Sequence, residues 1–451
     1  MQNVDVLVIG GSAAGTVASV TGKSRYPDKE FLVIRKEEQA FVPCGIPYIF
    51  GSLGSSDENL APTAVFKKAG VQLRIGETVS IDTGAKTCKT ADGDDIAFEK
   101  LVLATGSVPL VPGWLKGADL GNVFTVPKNK THLDGMLATL EDCNQIVVIG
   151  GGFIGVEVAD ELNKRGKNVT IVEILPHVLS LAFDNDLASR AEEVLTARGT
   201  TVRAGSGVKE VLGNGTVRGV LLNDGETLEA DAVILCMGYR PKTELATEAG
   251  LELNPFGSIK VDEYMRTANP DVFAAGDCAE KRDFLTRKPS RLMLAATACA
   301  EARVAGMNLY KLSAVKTFAG TIGIFATALG DHAFGVAGLT ESAAEKEGFD
   351  VVTGSFEGID KHPGKLPETH KQFVKLIVAR ESGQVLGGQV AGGPSAGELT
   401  NLLGFIIQHH MPVSSILTAQ IGTHPLLTAP PTAYPLTQAA QAALKQVKAA
   451  Q

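Results

Sequence analysis

The sequence predicts an α/β protein built from two Rossmann-like dinucleotide-binding units followed by a smaller α+β segment. Three observations carry this. An apolar run, Val4-Asp5-Val6-Leu7-Val8-Ile9, leads directly into a glycine turn at Gly10, Gly11 and Gly15. A second run, Ile146-Val147-Val148-Ile149, leads into Gly150-Gly151-Gly152-Phe153-Ile154-Gly155. Beyond about residue 320 no such turn recurs, and short strands alternate with helices. Short apolar runs bounded by turn residues read as strands buried on both faces of a parallel sheet.

Composition agrees. A chain of 451 residues has room for two or three domains. Its 50 glycines and 44% hydrophobic content suit many tight strand-to-helix turns. The net charge of −8 comes with no basic stripe, so nucleic acid is not an expected partner. No apolar run approaches the ~18 residues of a membrane span. Met1-Gln2-Asn3-Val4-Asp5 places no basic region before an apolar stretch, so no secretion signal is expected and the cytoplasm is the default location. The six cysteines (Cys44, Cys88, Cys143, Cys236, Cys278, Cys299) form no Cys-x-x-Cys pair and no zinc spacing. Neither a disulfide scaffold nor a metal site is expected.

In the first turn the dinucleotide fingerprint reads Gly10, Ser12, Gly15, with Ala13 and Ala14 between. Glycines there let the backbone approach a pyrophosphate at the helix N-terminus. Ser12 stands where the middle glycine belongs, so an ordinary strand-helix turn reads as well. The next strand, Phe31-Leu32-Val33-Ile34, is expected to end in a ribose-binding acid. Arg35 and Lys36 stand there instead, with Glu37 and Glu38 beyond, which leaves the ribose contact unassigned.

Then comes Phe41-Val42-Pro43-Cys44-Gly45-Ile46-Pro47-Tyr48. A helix starting at Cys44 puts Pro47 in the first turn, where no N–H is needed. Cys44 then sits at the positive end of the helix dipole, which favours its thiolate. The alternative is a buried, inert cysteine. Ile49 occupies the position five residues on, so no disulfide can close within this loop.

Residues 71–100 alternate as hairpins, with Asp92-Gly93 as a turn. Leu101 to Pro109 runs from strand to turn, and Pro112-Gly113 marks a boundary. The second fingerprint, Gly150, Gly152 and Gly155, is intact. Its following strand, Val169 to Val172, ends in Glu173 at about the ~20-residue distance of a ribose-binding acid. A carboxylate there accepts the ribose hydroxyls of NAD and repels a 2′-phosphate, although Lys164, Arg165 and Lys167 keep NADP open. More hairpin follows over 208–235, then Gly238-Tyr239-Arg240-Pro241, the strand Asp271 to Ala275 ending in Gly276-Asp277, and an Ala-rich helix from about Met293 to Leu309. The last part reads as strands Phe334 to Gly338 and Phe373 to Ala379, helices Thr340 to Glu347 and Ser395 to Gln408, and a terminal helix from Ala439 to Ala450. His424 and Tyr434 lie in a proline-rich tail.

Two nucleotide folds in one chain suit a bound flavin and a diffusing nicotinamide. Taken together, the first fingerprint, Ala104-Thr105-Gly106, the second fingerprint with Glu173, Gly238-Tyr239-Arg240-Pro241 and Ala275-Gly276-Asp277 resemble the pyridine nucleotide–disulfide oxidoreductase flavoproteins. They occur in that family's order. The resemblance implies an FAD-binding domain over 1–112 and 240–320, an NAD(P)H-binding domain over 113–239, a C-terminal α+β dimerisation domain over 321–451, and a homodimer. FAD is implied at Gly10, Ser12, Ala13, Ala14, Gly15, Arg35, Lys36, Val79, Ala104, Thr105, Gly106, Gly276 and Asp277, with Asp277 on the ribityl chain and Ala295, Ala296 and Thr297 beneath the flavin. NADH, with NADPH left open, is implied at Gly150, Gly152, Phe153, Ile154, Gly155, Glu157, Glu173 and Gly238.

The single Cys44 followed by Pro47-Tyr48 resembles the family's one-cysteine branch. That branch includes coenzyme A-disulfide reductases, NAD(P)H persulfide or polysulfide reductases, and NADH oxidases and peroxidases. The last two carry a histidine in the first turn, which Ser12-Ala13-Ala14 does not offer. The implied activity is reduction of a small disulfide, persulfide or polysulfide at Cys44, with coenzyme A a candidate thiol. His424, in a His-Pro pair resembling that of the two-cysteine reductases, is the implied acid/base across a dimer interface, with Tyr434 as the alternative. The rivals are an oxidase cycling Cys44 through a sulfenic acid and a non-catalytic, redox-sensing flavoprotein.

Overall fold

The computed structural model describes residues 1–313 and 317–447. Its first sheet is built on Gln2–Ile9, whose inner residues Val6, Leu7 and Val8 are fully buried. Phe31–Arg35 pairs parallel on one side, with Val6 opposite Phe31, and Asp95–Leu103 pairs parallel on the other. Val272–Ala274, far downstream, adds itself parallel to Asp95–Leu103 and so brings the Gly276-Asp277 turn beside the first fingerprint. Thr78–Asp82 and Thr87–Thr90 form the expected antiparallel flap, and Gly93 takes φ +89 in its turn. Gln72–Ile75, expected in a hairpin, instead pairs parallel with Phe31–Arg35. The helices Ala13–Arg25 and Ala295–Asn308 pack together under this sheet. Their small residues permit it: a Cβ on Gly306 would lie 2.6 Å from the Ala18 carbonyl oxygen.

The second unit repeats the plan. Its five parallel strands run in the order Thr201–Arg203, Asn168–Val172, Gln145–Ile149, Ala232–Leu235, Val123–Thr125. A three-stranded antiparallel meander, Val208–Asn214, Thr216–Leu222 and Thr227–Glu229, stands beside it. The chain passes between the two units twice, and the two crossings, Ser107–Pro109 and Tyr239–Pro241, pair antiparallel.

The last part is a five-stranded antiparallel sheet in the order Ile324–Leu329, His332–Gly338, Val385–Gly392, Lys371–Ala379, Val351–Ile359. The helices Ala396–Gln408 and Pro435–Leu444 share its core. Only two of these five strands were legible in the sequence. The helix expected over Ala439 to Ala450 begins earlier, at Pro435, where the missing proline N–H costs nothing; residues 448–450 of that expectation lie outside the described residues. Among the described residues no helix is long and apolar enough to cross a membrane.

Candidate active site

Both fingerprint turns, the Cys44 stretch and the start of the helix Ala295–Asn308 open onto one cavity of about 700 Å³. Ser12, Ala13 and Ala14 line it at the N-terminus of the helix Ala13–Arg25. Ser12 is the N-cap, makes no side-chain cap, and no acid stands in the first turn. The exposed N–H groups and the dipole therefore suit a diphosphate. Gly10 and Gly15 make the turn possible from behind. A Cβ on Gly15 would stand 1.8 Å from the Gly10 carbonyl oxygen, and one on Gly10 would stand 2.1 Å from that of Ala104.

The helix Phe153–Lys164 repeats this, with Gly152 as an uncapped N-cap and no acid in its first turn. Gly152, Phe153, Ile154, Glu157 and Gly238 line the cavity. Gly150 and Gly155 shape the turn, since a Cβ on Gly155 would lie 1.9 Å from the Gly150 carbonyl oxygen. Glu173 sits against this turn, its carboxylate accepting from the N–H groups of Gly151 at 2.6 Å and Leu175 at 2.8 Å.

Arg35 occupies the corresponding place in the first unit: a Cβ on Gly11 would touch the Arg35 Cβ at 3.0 Å, as one on Gly151 would touch that of Glu173 at 3.1 Å. Its guanidinium donates to the carbonyls of Glu37 at 2.7 Å and Glu38 at 2.6 Å. It thus braces the loop that leads to Cys44. Arg35, Lys36, Val79, Thr105 and Thr297 lie outside the cavity lining. Lys36 pairs with Glu77 on the surface, and Thr105 bonds the Lys242 carbonyl.

The Cys44 segment forms a 3-10 helix, Pro43–Phe50, with Val42 as N-cap. The expected start at Cys44 is therefore off by one residue, and Pro43 takes the first position. Cys44 is exposed at the cavity wall and Ile49 and Phe50 anchor the helix in the core. The surroundings of Cys44 do not favour the lowered thiol pKa expected from the helix dipole. One side of the residue faces solvent, but the protein packed around the other pushes the thiol up, the Glu157 carboxylate adds to this, and Lys128 opposes them. Burial and the same carboxylate push Tyr48 up to about 12.

Lys128, absent from any motif, is a cation in the cavity lining. Its ammonium lies 2.9 Å from Asp277 and 3.2 Å from the Ser107 hydroxyl, which itself donates to Asp277 at 2.7 Å. Burial would raise the Asp277 carboxyl, but these partners outweigh it and hold it below the ordinary carboxylate value. Asp277, Gly276, Ala275, Ala295 and Ala296 line the wall with Ala104 and Gly106. An acceptor beside two donors, two uncapped helix N-termini and a mostly apolar wall fit a flavin dinucleotide and a nicotinamide nucleotide.

The C-terminal sheet supplies Ile324, Phe325 and Ala326 to the lining, which sequence reasoning missed. Phe325 stacks on Phe153 with centroids 5.1 Å apart. Thr327 donates to Glu157 at 2.8 Å, yet burial still pushes that carboxyl up to about 7. His424 and Tyr434 do not reach the cavity within their own chain. His424 is exposed on the tail beside exposed Leu426 and Leu427, and Tyr434 packs at the C-terminal core.

These features define a two-nucleotide oxidoreductase with a thiol at the meeting point of its cofactor sites. Residues 4–302 match the pyridine nucleotide-disulphide oxidoreductase family, and residues 324–434 match that family's dimerisation domain. An NADH oxidase of Methanocaldococcus jannaschii is 31% identical, covering 98% of this chain and 99% of its own. An NAD(P)H coenzyme A polysulfide/persulfide reductase of Pyrococcus horikoshii is 33% identical over 86% of this chain and 87% of its own. The solved structure of an NAD-dependent persulfide reductase from A. fulgidus superposes with TM-score 0.91 at 27% identity, covering 98% of this chain and 83% of that one. The chain belongs to the pyridine nucleotide-disulphide oxidoreductase family. It is an FAD-dependent, NAD(P)H-using oxidoreductase of the coenzyme A-persulfide reductase and NADH oxidase type.

Proposed function

We propose that this enzyme reduces a low-molecular-weight disulfide, persulfide or polysulfide of the coenzyme A type, with Cys44 as its redox sulfur. The observation that carries this is the exposed Cys44 thiol opening into the same cavity as both fingerprint turns. Cys236 also lines that cavity, but its thiol is pushed up to about 12 by burial, which suits a structural role.

FAD, when bound, supplies the two-electron link between the nicotinamide and the sulfur. Ser12 to Ala14 and Gly152 offer backbone N–H groups to the two diphosphates, and Asp277 accepts from the ribityl hydroxyls. Glu173 takes the adenosine ribose and sets a preference for NADH over NADPH. Once deprotonated, the Cys44 sulfur attacks R–S–S–R and breaks its S–S bond, so that a mixed disulfide forms on Cys44 and R–S⁻ leaves and takes up a proton; two electrons from NADH, relayed by FAD, would then cleave the mixed disulfide to the Cys44 thiolate and a second R–SH. His424 gives that proton from a second copy of the chain, because its own tail holds it away from its own cavity.

A second reading rests on the match to the NADH oxidase: peroxide oxidises the Cys44 thiolate to a sulfenic acid with loss of hydroxide, and two electrons from NADH, which a bound flavin would relay, would return it to the thiol and water. Replacing Cys44 by Ser tests the main reading. FAD content and NADH binding are expected to survive while disulfide and polysulfide reduction is lost. Unchanged turnover in that variant refutes it, and NADH consumption faster with oxygen than with any disulfide in the native enzyme favours the oxidase.

A further inference from the structure

The helix Phe153–Lys164 grips more than its own glycine turn. Its last turns reach the far end of the Cys44 helix. The Glu161 carboxylate, almost wholly buried, accepts from the Ser52 N–H at 2.5 Å and from the Ser52 hydroxyl at 3.0 Å. Lys164 bonds the same carboxylate, and its ammonium lies 3.2 Å from the Ser52 hydroxyl. Arg165, the C-cap, donates to the carbonyls of Ile49 at 3.4 Å and Leu53 at 3.2 Å. The two elements touch so closely that a Cβ on Gly51 would stand 2.4 Å from the Glu161 carbonyl oxygen and 2.6 Å from its carboxylate. A buried carboxylate persists only where it is paired and hydrogen-bonded. The Glu161 carboxylate is held by Lys164 from its own helix and by Ser52, just past the end of the Cys44 helix.

The other end of this helix faces the nicotinamide side. Phe153 stacks on Phe325, and Glu157 holds Thr327. One rigid rod therefore connects the second fingerprint to the element that carries the sulfur. We propose that Glu161 is a positioning residue for Cys44: it ties the Cys44 helix to the nicotinamide-binding helix, so that filling the nicotinamide site changes the exposure and reactivity of the thiol. The inference rests on the reading of Cys44 as the redox sulfur. Phe153 lines the cavity at the first turn of the rod, where a nicotinamide ring entering the cavity would bear on it. The charge-assisted bonds of Glu161 pass a shift of the rod to Ser52 and the 3-10 helix.

The test uses purified holoenzyme and alkylation of Cys44 by iodoacetamide, followed by mass spectrometry of the Cys44 peptide. Saturating NAD⁺, which occupies the site without reducing the flavin, is expected to change the native alkylation rate about fivefold or more. In Glu161→Ala the NAD⁺ response is expected to fall below about twofold, with FAD content and NAD⁺ affinity retained. Ser52→Ala, which keeps the backbone bond, is expected to give an intermediate response. A full response in Glu161→Ala overturns the proposal, as does no response in the native enzyme. If Glu161→Ala loses FAD or fails to fold, Ser52→Ala decides, and an undiminished response there overturns it. The readout needs no turnover, so a catalytically silent Cys44 defeats the proposed function without touching this measurement.

Discussion

Gly15 and Gly155 occupy equivalent positions in the two fingerprints and separate the two cofactors cleanly. In Gly15→Ala the new Cβ meets the Gly10 carbonyl oxygen at 1.8 Å, and in Gly155→Ala it meets that of Gly150 at 1.9 Å. Comfortable contact needs about 3.5 Å, so each turn must back away from its helix by about 1.6–1.7 Å. Backbone cannot yield as a flexible side chain can, and such overpacking costs about 1–3 kcal/mol. Each helix N-terminus then leaves its diphosphate, which corresponds to an affinity loss of about 5- to 150-fold. Flavin content by visible absorbance and nicotinamide affinity by calorimetry read the two effects separately. Gly15→Ala is expected to lose FAD, whereas Gly155→Ala keeps FAD and binds NADH weakly. The reverse pattern, or native affinity for both cofactors in both variants, refutes the assignment of the fingerprints.

Three further outcomes are expected. Glu157→Gln removes a carboxyl that burial leaves only partly ionised near neutral pH, so it should speed Cys44 alkylation most above about pH 7, whereas Lys128→Met removes the opposing cation and should slow it; rate against pH by mass spectrometry reads both. Glu173→Ala should weaken NADH binding and narrow the preference over NADPH, measured as the ratio of kcat/KM values. Lys375→Met leaves Asp184, which joins the second unit to Glu341 and Ser342 of the C-terminal part, without its cation 3.2 Å away but with its other donors in place, and should destabilise the protein by about 1–3 kcal/mol at neutral pH. Burial raises the Asp184 carboxyl, but its backbone partners and Lys375 win and leave it depressed. Its contribution is therefore complete above the unfolded carboxylate value and is lost as pH falls through the folded one, so the native and variant melting temperatures should converge in strong acid.

The two parallel sheets were legible because their strands are continuous apolar runs that end in glycines no other residue can replace. Gly10, Gly15, Gly150 and Gly155 announce a close backbone approach in the sequence itself. The C-terminal strands were harder to read. Val385–Gly392 carries Gly387 and Gly388, which break the apolar pattern although every residue in the strand is buried. The site was legible where a motif carried it and hidden where distant segments meet. Lys128 earns its place only through Asp277 and Ser107, and Phe325 only through Phe153. The electrostatics at Cys44 were half legible for the same reason: the helix dipole is local and visible, but the packing that desolvates the thiol and the Glu157 carboxylate that faces it come from distant segments. Arg35 is legible as a charged residue at the strand end, but not its bonds, because the Glu37 and Glu38 carbonyls that accept from it come close only when the loop folds back.

The central claim is that reducing power leaves this protein through one sulfur. Its most direct test is the mass of the Cys44 peptide from enzyme exposed to coenzyme A disulfide without NADH, and then again after NADH is added. A coenzyme A adduct should form on Cys44 and vanish with the nucleotide, with release of two thiols for each disulfide consumed. An unmodified Cys44 in an enzyme that nevertheless turns the disulfide over contradicts the account.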